Sequence, residues 1–398
     1  MDIIIHPKKL NGLVEAIPSK SQAHRLLICA AFADNVTILK CAETNRDIEA
    51  TVDCLNALGA NIQRTSYGYS IEPIETIPEN AHLNCCESGS TLRFLLPLAG
   101  SLGIDATFHM EGRLPQRPLS PLWEEMERMG CTLSRPTETT IRCQGQLIPG
   151  EYVIPGNISS QYITGLLLAL PHLPGRSQIK ILGTLESKPY VDLSQQVIRK
   201  FGVYSVPENI PGQSKFHSPG MVMVEGDWSN AAFFLAAREL GNQIHTTGLQ
   251  NNSTQGDRAV NSLLPQLKEC ITISAADIPD LVPILSVVAA YRKGAVFTDI
   301  QRLRLKESDR VASVIAMLEA LGGKAEADEN TLTVYGTGLT GGTVDSVNDH
   351  RIAMSAAIAA TVCSDPVIIL GAECVSKSYP HFFEEYRRLG GTYEQYLR

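Results

Sequence analysis

This sequence predicts an α/β fold of two domains, each built from three strand-and-helix units, and three observations carry that prediction. Helices end repeatedly in a Leu-Gly-like pair. A strand of alternating texture follows each stop. Hydrophobic residues make up 44% of 398 positions, enough apolar side chain for two cores. The pattern begins at Thr51–Ile62, where Leu55, Leu58 and Gly59 lead into Asn61-Ile62-Gln63. It returns at Leu122–Leu133 around Met129-Gly130 and at Gln195–Val203 around Phe201-Gly202. Two further copies lie at Val311–Ala325, around Leu321-Gly322, and at Phe382–Tyr393, around Leu389-Gly390. A weaker, shorter copy without the glycine lies at Val260–Ile273. Most of these glycines stand roughly 70 residues apart, the spacing of an internal repeat.

Each element has its own local reason. The apolar spacing Val314, Met317, Leu318 and Leu321 is helical, and each glycine suits the left-handed position just past a helix end. Thr139-Thr140-Ile141-Arg142 and Thr331-Leu332-Thr333-Val334-Tyr335 alternate as strands do. Pro, Gly, Ser and Asn break the periodicity over Pro207–Gly220, which reads as an internal boundary. Gly226-Asp227 then opens a strongly apolar helix, Ala231–Leu240.

Composition narrows the function. A formal net charge of -8 argues against nucleic acid or an anionic membrane as the main partner. The 10 cysteines are scattered without a C-x-x-C, which predicts free thiols rather than a disulfide framework. No run reaches membrane-spanning length and the first residues lack a signal core, so the expected location is the cytoplasm. The 9 histidines show no ligand spacing, so neither metal nor organic cofactor is expected.

Within this acidic chain, cations gather in glycine- and serine-rich turns, the pattern expected for small polyanionic ligands. Pro18-Ser19-Lys20-Ser21 leads through Arg25 into an apolar helix, whose first N–H groups and dipole favour an anion. In Glu87-Ser88-Gly89-Ser90-Thr91-Leu92-Arg93, Gly89 leaves room for close approach to the backbone. In Arg113-Leu114-Pro115-Gln116-Arg117-Pro118, the second proline forces Arg117 out of helical geometry, onto a stiff turn. Ser159-Ser160-Gln161 heads another apolar helix, and Ser187-Lys188-Pro189-Tyr190 is a further polar turn. Later come Arg302, Arg304 and Lys306, alternating as strand residues would, then Arg310, Asp349-His350-Arg351 and Lys377. The candidate acids are Asp280, ahead of an apolar helix, and Glu307. Taken singly, each feature also fits a helix cap or a solvated charged face.

In this order the segments resemble the enolpyruvyl transferase family, in its EPSP synthase branch. The resemblance runs nearly end to end. Further motifs that carry it are Glu225-Gly226-Asp227, Gln255-Gly256-Asp257, Lys306-Glu307-Ser308-Asp309-Arg310 and Ser376-Lys377. The implied fold has two domains of three β-α-β-α-β-β units, with the active site in the cleft between them. It implies one domain over 20–225 and a discontinuous second over 1–19 plus 226–398, with crossings near 18–20 and 223–227. The implied reaction moves the enolpyruvyl group of phosphoenolpyruvate to the 5-hydroxyl of shikimate 3-phosphate, on the route to chorismate and aromatic amino acids.

Residue by residue, the resemblance assigns Ser21, Arg25, Ser159, Ser160, Gln161, Ser187, Asp280 and Lys306 to shikimate 3-phosphate. It assigns Lys20, Gly89, Arg117, Gln161, Arg310, Arg351 and Lys377 to phosphoenolpyruvate. Such chemistry needs a base at the attacking hydroxyl and an acid at the methylene carbon. Asp280, with Lys306, is assigned to the first role and Glu307 to the second, with Lys20 assisting. The family implies a monomer and, because Gly89 is retained, sensitivity to glyphosate. Arg302 departs from a commonly found asparagine, Glu87 from asparagine and Ser90 from threonine. The alternatives are UDP-N-acetylglucosamine 1-carboxyvinyltransferase, an RNA terminal phosphate cyclase and a non-catalytic anion binder. The first is disfavoured because Glu111–Gln116 holds no cysteine.

Overall fold

The computed structural model describes residues 1–395 and divides the chain into two compact units. One is Pro18–Glu225; the other joins Met1–Ile17 to the stretch from Gly226 onward. Each has its own buried hydrophobic core. Strands β1 (Ile3–His6) and β2 (Asn11–Glu15) open the chain and belong to the second of these.

The unit Pro18–Glu225 starts with α1 (Lys20–Ala31), β3 (Thr37–Lys40), α2 (Arg46–Ala57), β4 (Asn61–Thr65) and β5 (Gly68–Glu72). Then come β6 (Asn80–Asn84), α3 (Gly89–Leu102), β7 (Asp105–His109), α4 (Leu122–Arg128), β8 (Cys131–Thr137) and β9 (Thr140–Gly145). It finishes with β10 (Glu151–Pro155), α5 (Ser160–Ala169), β11 (Gln178–Leu182), α6 (Lys188–Lys200) and β12 (Met221–Met223). The other unit resumes with α7 (Trp228–Glu239), β13 (Gln243–Thr247) and α8 (Val260–Leu263). Next are β14 (Ile271–Ser274), α9 (Val282–Tyr291), β15 (Gly294–Thr298), α10 (Arg310–Ala320), β16 (Lys324–Ala327) and β17 (Thr331–Tyr335). Last are β18 (Gly342–Asp345), α11 (His350–Ala359), β19 (Val367–Leu370), α12 (Phe382–Arg388) and β20 (Thr392–Gln395).

Four sheets share one plan: a parallel pair extended by two antiparallel strands. They run β12-β3-β5-β4, β6-β7-β9-β8, β14-β15-β17-β16 and β18-β19-β1-β20. In the second, β6 and β7 are parallel, and β9 and β8 add on antiparallel. Two shorter sheets, β10-β11 and β13-β2, keep only the parallel pair. These are the truncated repeats, one in each unit. The copy expected at Val260–Ile273 is part of this shortening: α8 is a single turn, and Ile271–Ser274 starts the next sheet instead of closing its own.

The glycine stops have the backbone that the sequence predicts. Gly59, Gly130, Gly202, Gly322 and Gly390 have φ between 81° and 109°, open to glycine and costly for other residues. A further stop, Gly241 at φ 86° after α7, escaped the sequence pattern because the shortened repeat has no strand hairpin near it. Pro207–Gly220 is not a boundary. It is tied into its own unit by hydrogen bonds from Ile179 to Pro207, from Gln213 to Leu173 and from Ser214 to Pro171, with Phe216 buried. Its prolines and glycines replace the missing hairpin, which is why periodicity is lost there. No helix among the described residues is long and apolar enough to cross a membrane.

Candidate active site

In the unit Pro18–Glu225, the predicted polar residues collect at helix heads. α1 begins at Lys20, α3 at Gly89, α5 at Ser160 and α6 at Lys188 just after Ser187. Each head presents N–H groups with no partner inside its own helix, the electrostatics of an anion site. Close helix packing brings two heads together. A Cβ on Gly165 of α5 would collide with the backbone oxygen of Arg93 on α3, so only glycine allows that approach. Gln161 Nε2 thereby donates to Ser90 Oγ at 3.1 Å. Ser159 caps α5 by accepting from the Gln161 N–H, so it is a cap as well as a ligand candidate. Ser187 is buried and holds left-handed backbone at φ 54°, a strain of roughly 1–3 kcal/mol for a residue with a Cβ.

Arg25 has unusual company. Its guanidinium donates to Ser194 Oγ at 2.8 Å, the Ser21 carbonyl at 2.5 Å, and Thr164 Oγ1 and the Tyr190 carbonyl, both at 3.2 Å. It also lies 4.9 Å from the centre of the Phe94 ring. All these partners are neutral, and burial pulls Arg25 down to about 10. A buried cation held only by neutral groups leaves strong positive potential for an incoming anion. Beneath it, His24 is fully buried and kept neutral by burial, then by Lys20 and Arg25. Its Nδ1 starts a hydroxyl chain through Thr51 and Thr91 to Ser88, each step 2.7 Å, which ties α1, α2 and the head of α3 together.

Gly89 lies beneath two guanidiniums. A Cβ there would sit 2.6 Å from Arg117 Nη1 and 2.7 Å from Arg93 Nη1. Arg117 is extended (ψ 134°), as the following proline requires. Arg93 donates to the Pro118 carbonyl at 3.0 Å, and the Tyr162 hydroxyl reaches the same oxygen at 2.6 Å. Lys20 Nζ pairs with Asp47 at 2.9 Å. The sequence reading missed Asp47, although an acid in the first turn of a helix is a visible signal.

In the other unit the charges are interlocked. Asp280 does not cap α9, whose cap position is Leu281. Instead it takes Arg310 Nη1 at 2.5 Å and Arg351 Nη2 at 3.1 Å, with Lys306 Nζ at 3.7 Å. Burial pushes this carboxyl up, but Arg351, Lys306 and Arg310 together hold it well below the usual range. Burial pulls Lys306 down to about 8, against the attraction of Asp280. Arg310, 1% exposed, also reaches Glu307 at 2.7 Å and Asp349 at 2.9 Å. Asp349 accepts from Ser308 at 3.0 Å and caps α11 through the Arg351 N–H. Asp349 was legible only as a helix opener, and its pairing with Arg310 required the fold. Lys377 is buried, with Nζ donating to the Asn348 carbonyl at 2.9 Å. His350 is buried beside the cluster.

Arg302, Arg304 and Lys306 do not form a strand. Residues Gln301–Leu305 make a 3₁₀ turn, because Asp299 at φ 60° turns the chain off the end of β15. The turn buries Arg302, points Arg304 toward Asp309 at 3.6 Å, and delivers Lys306 to Asp280. None of Lys20, Arg117, Arg310 and Lys377 is fully exposed; the last two are buried and the first two half-buried.

The family model described as EPSP synthase (3-phosphoshikimate 1-carboxyvinyltransferase) matches residues 4–386. A 3-phosphoshikimate 1-carboxyvinyltransferase of Clostridium kluyveri is 37% identical, covering 99% of this chain and 98% of that protein. Another, of Clostridium beijerinckii, is 38% identical and covers 98% of both. An EPSP synthase structure from Acinetobacter baumannii superposes with a TM-score of 0.80 over 99% of each chain, and its 22% identity shows likeness of fold. With a family model matching nearly end to end and relatives this similar over full length, the chain belongs to the EPSP synthase family.

Proposed function

We propose that this chain transfers the enolpyruvyl group of phosphoenolpyruvate to the 5-hydroxyl of shikimate 3-phosphate and releases phosphate. The names its relatives carry support this. Within the chain the supporting observation is Arg25, a buried cation that among the described residues is hydrogen-bonded only to neutral groups. Ser21, Arg25, Ser159, Ser160, Gln161 and Ser187 bind shikimate 3-phosphate, with Asp280 and Lys306 at its reacting hydroxyl. Lys20, Gly89, Arg117, Gln161, Arg310, Arg351 and Lys377 bind phosphoenolpyruvate. The Lys20–Asp47 pair holds the ammonium in place until the anion takes it.

The substrate hydroxyl attacks the central enol carbon and loses its proton while the methylene carbon gains one. The tetrahedral adduct then expels phosphate as the methyl group returns a proton. Asp280, ionised among three cations, is a weak base by itself. Lys306, at about 8, is better matched to accept the hydroxyl proton near neutrality. Glu307 exchanges the proton at carbon, and its bond from Arg310 orients it. Arginines around the tetrahedral adduct stabilise its charge.

Purified protein is expected to release phosphate only when both substrates are present. Release with UDP-N-acetylglucosamine in place of shikimate 3-phosphate would reassign it. Gly89→Ala is expected to push Arg117 and Arg93 aside. That overpacking, typically about 1–3 kcal/mol, predicts a roughly tenfold or greater rise in KM for phosphoenolpyruvate. Steady-state kinetics should show a much smaller change in KM for shikimate 3-phosphate.

A further inference from the structure

Asp257 lies in the 3₁₀ turn Gly256–Ala259 and is 1% exposed. Its Oδ2 accepts from Ser229 Oγ at the head of α7. Among the described residues no donor reaches Oδ1, which is buried. The turn is fastened to the chain crossing beside it. Gln255 accepts from the Trp228 N–H at 3.1 Å and donates to the Gly226 carbonyl at 2.9 Å. Asp349, also fully buried, shows what an ionised carboxylate looks like in this unit. It has a guanidinium on one oxygen, shared with a hydroxyl, and a backbone N–H on the other. Among the described residues, Asp257 has one neutral hydroxyl in total. A buried carboxylate so poorly solvated takes up a proton rather than stay charged.

We propose that Asp257 is a positioning residue that works as an uncharged acid, occupying space beside the Asp280–Arg351 pair without adding negative charge to it. This rests on the proposed function, because Asp280 and Arg351 are the groups it serves. The charged groups it faces are Asp280 from the segment before α9, Arg351 from α11 and Asp227 at the head of α7. Burial first, then Asp280, raise its pKa to about 7, against Arg351 and the Ser229 hydrogen bond, with Asp227 raising it further. If Asp257 ionises, its charge offsets that of Arg351 and weakens the hold on an anionic substrate.

The experiment compares the full chain with Asp257→Asn, which mimics the uncharged acid, in two readouts. The first is denaturant stability from pH 4 to pH 9. In the fold Asp257 holds its proton up to about 7, whereas unfolded it ionises near about 3.9. Wild type should therefore lose stability relative to Asp257→Asn as pH rises through that window, with a constant difference above it. A difference independent of pH would mean a charged Asp257 and overturn the proposal.

The second readout is the ratio of KM for phosphoenolpyruvate, wild type over variant, which cancels titration of the substrate and of Lys306. It should be near unity at pH 6 and rise to about fivefold by pH 8.5, the scale of one partly screened charge. A flat ratio beside the expected stability curve would leave Asp257 neutral but without a positioning role, and overturns that part. Absence of phosphate release by wild type would instead remove the proposed function, while the stability readout still decides the charge. Should Asp257→Asn fail to fold, carboxyl-carbon NMR titration of wild type decides it: a midpoint near 4 overturns the proposal.

Discussion

Arg310→Leu is expected to destabilise its unit by about 3–5 kcal/mol, the usual result of removing one partner from buried ion pairs. One guanidinium, 1% exposed, bonds carboxylates of Asp280, Glu307 and Asp349. Asp280 keeps Lys306 and Arg351. Asp349 does not fare as well: it retains the Ser308 hydroxyl and the Arg351 N–H but no charged hydrogen-bond donor. Lysine should restore little, since a single ammonium cannot bridge three carboxylates in a plane. The sign of the pH dependence follows from Asp349. Burial pushes this carboxyl up and Arg310 pulls it net below its ordinary value. In wild type it therefore stabilises the fold above the unfolded pKa and loses that contribution only as pH falls through the lower folded value. Without Arg310, burial prevails and the same carboxylate becomes a cost that grows from about pH 4 toward neutrality. Urea denaturation should thus show the deficit of Arg310→Leu greatest at pH 7–8 and shrinking toward pH 4. A deficit that does not vary with pH would mean that Asp349 does not depend on Arg310.

Glu307→Gln is expected to cut turnover by roughly a hundredfold or more, the scale of general acid–base catalysis. Calorimetry should meanwhile find shikimate 3-phosphate binding within a few-fold of wild type. The amide keeps an oxygen to accept the 2.7 Å bond from Arg310, so the cluster survives. What disappears is the exchangeable proton. Near-normal turnover would remove Glu307 from the chemistry, and loss of binding in step with turnover would make it structural.

Much of the fold was legible because its signals are local. A helix end needs φ above zero, and Gly59, Gly130, Gly202, Gly322 and Gly390 supply it wherever they fall. Arg117 is extended because of its neighbour Pro118, and Asp309 and Asp349 cap the helices they precede. The errors arise where the outcome depends on distant partners. Arg302-Leu303-Arg304-Leu305-Lys306 has a strand's period, but β15 already lies between β14 and β17, and the segment turns away as a 3₁₀ coil. Lys20 with Asp47, Arg310 with Asp349, and Asp257 with Ser229 join positions 27 to 39 residues apart. No periodicity announces such pairs. The site's cations could be read off the chain, but the acids that hold them could not.

The placement of β1 bears on how the chain is made. It lies between β19 and β20, with Ile3 and Ile5 buried, while β2 pairs with β13. These two strands are translated before Pro18–Glu225, yet their neighbours come only after that unit is complete. That intervening unit is free to fold as it emerges. β1, with its buried isoleucines, must wait unpaired until β19 and β20 have been made, so this strand is where a holding chaperone or a badly placed fusion tag would matter most.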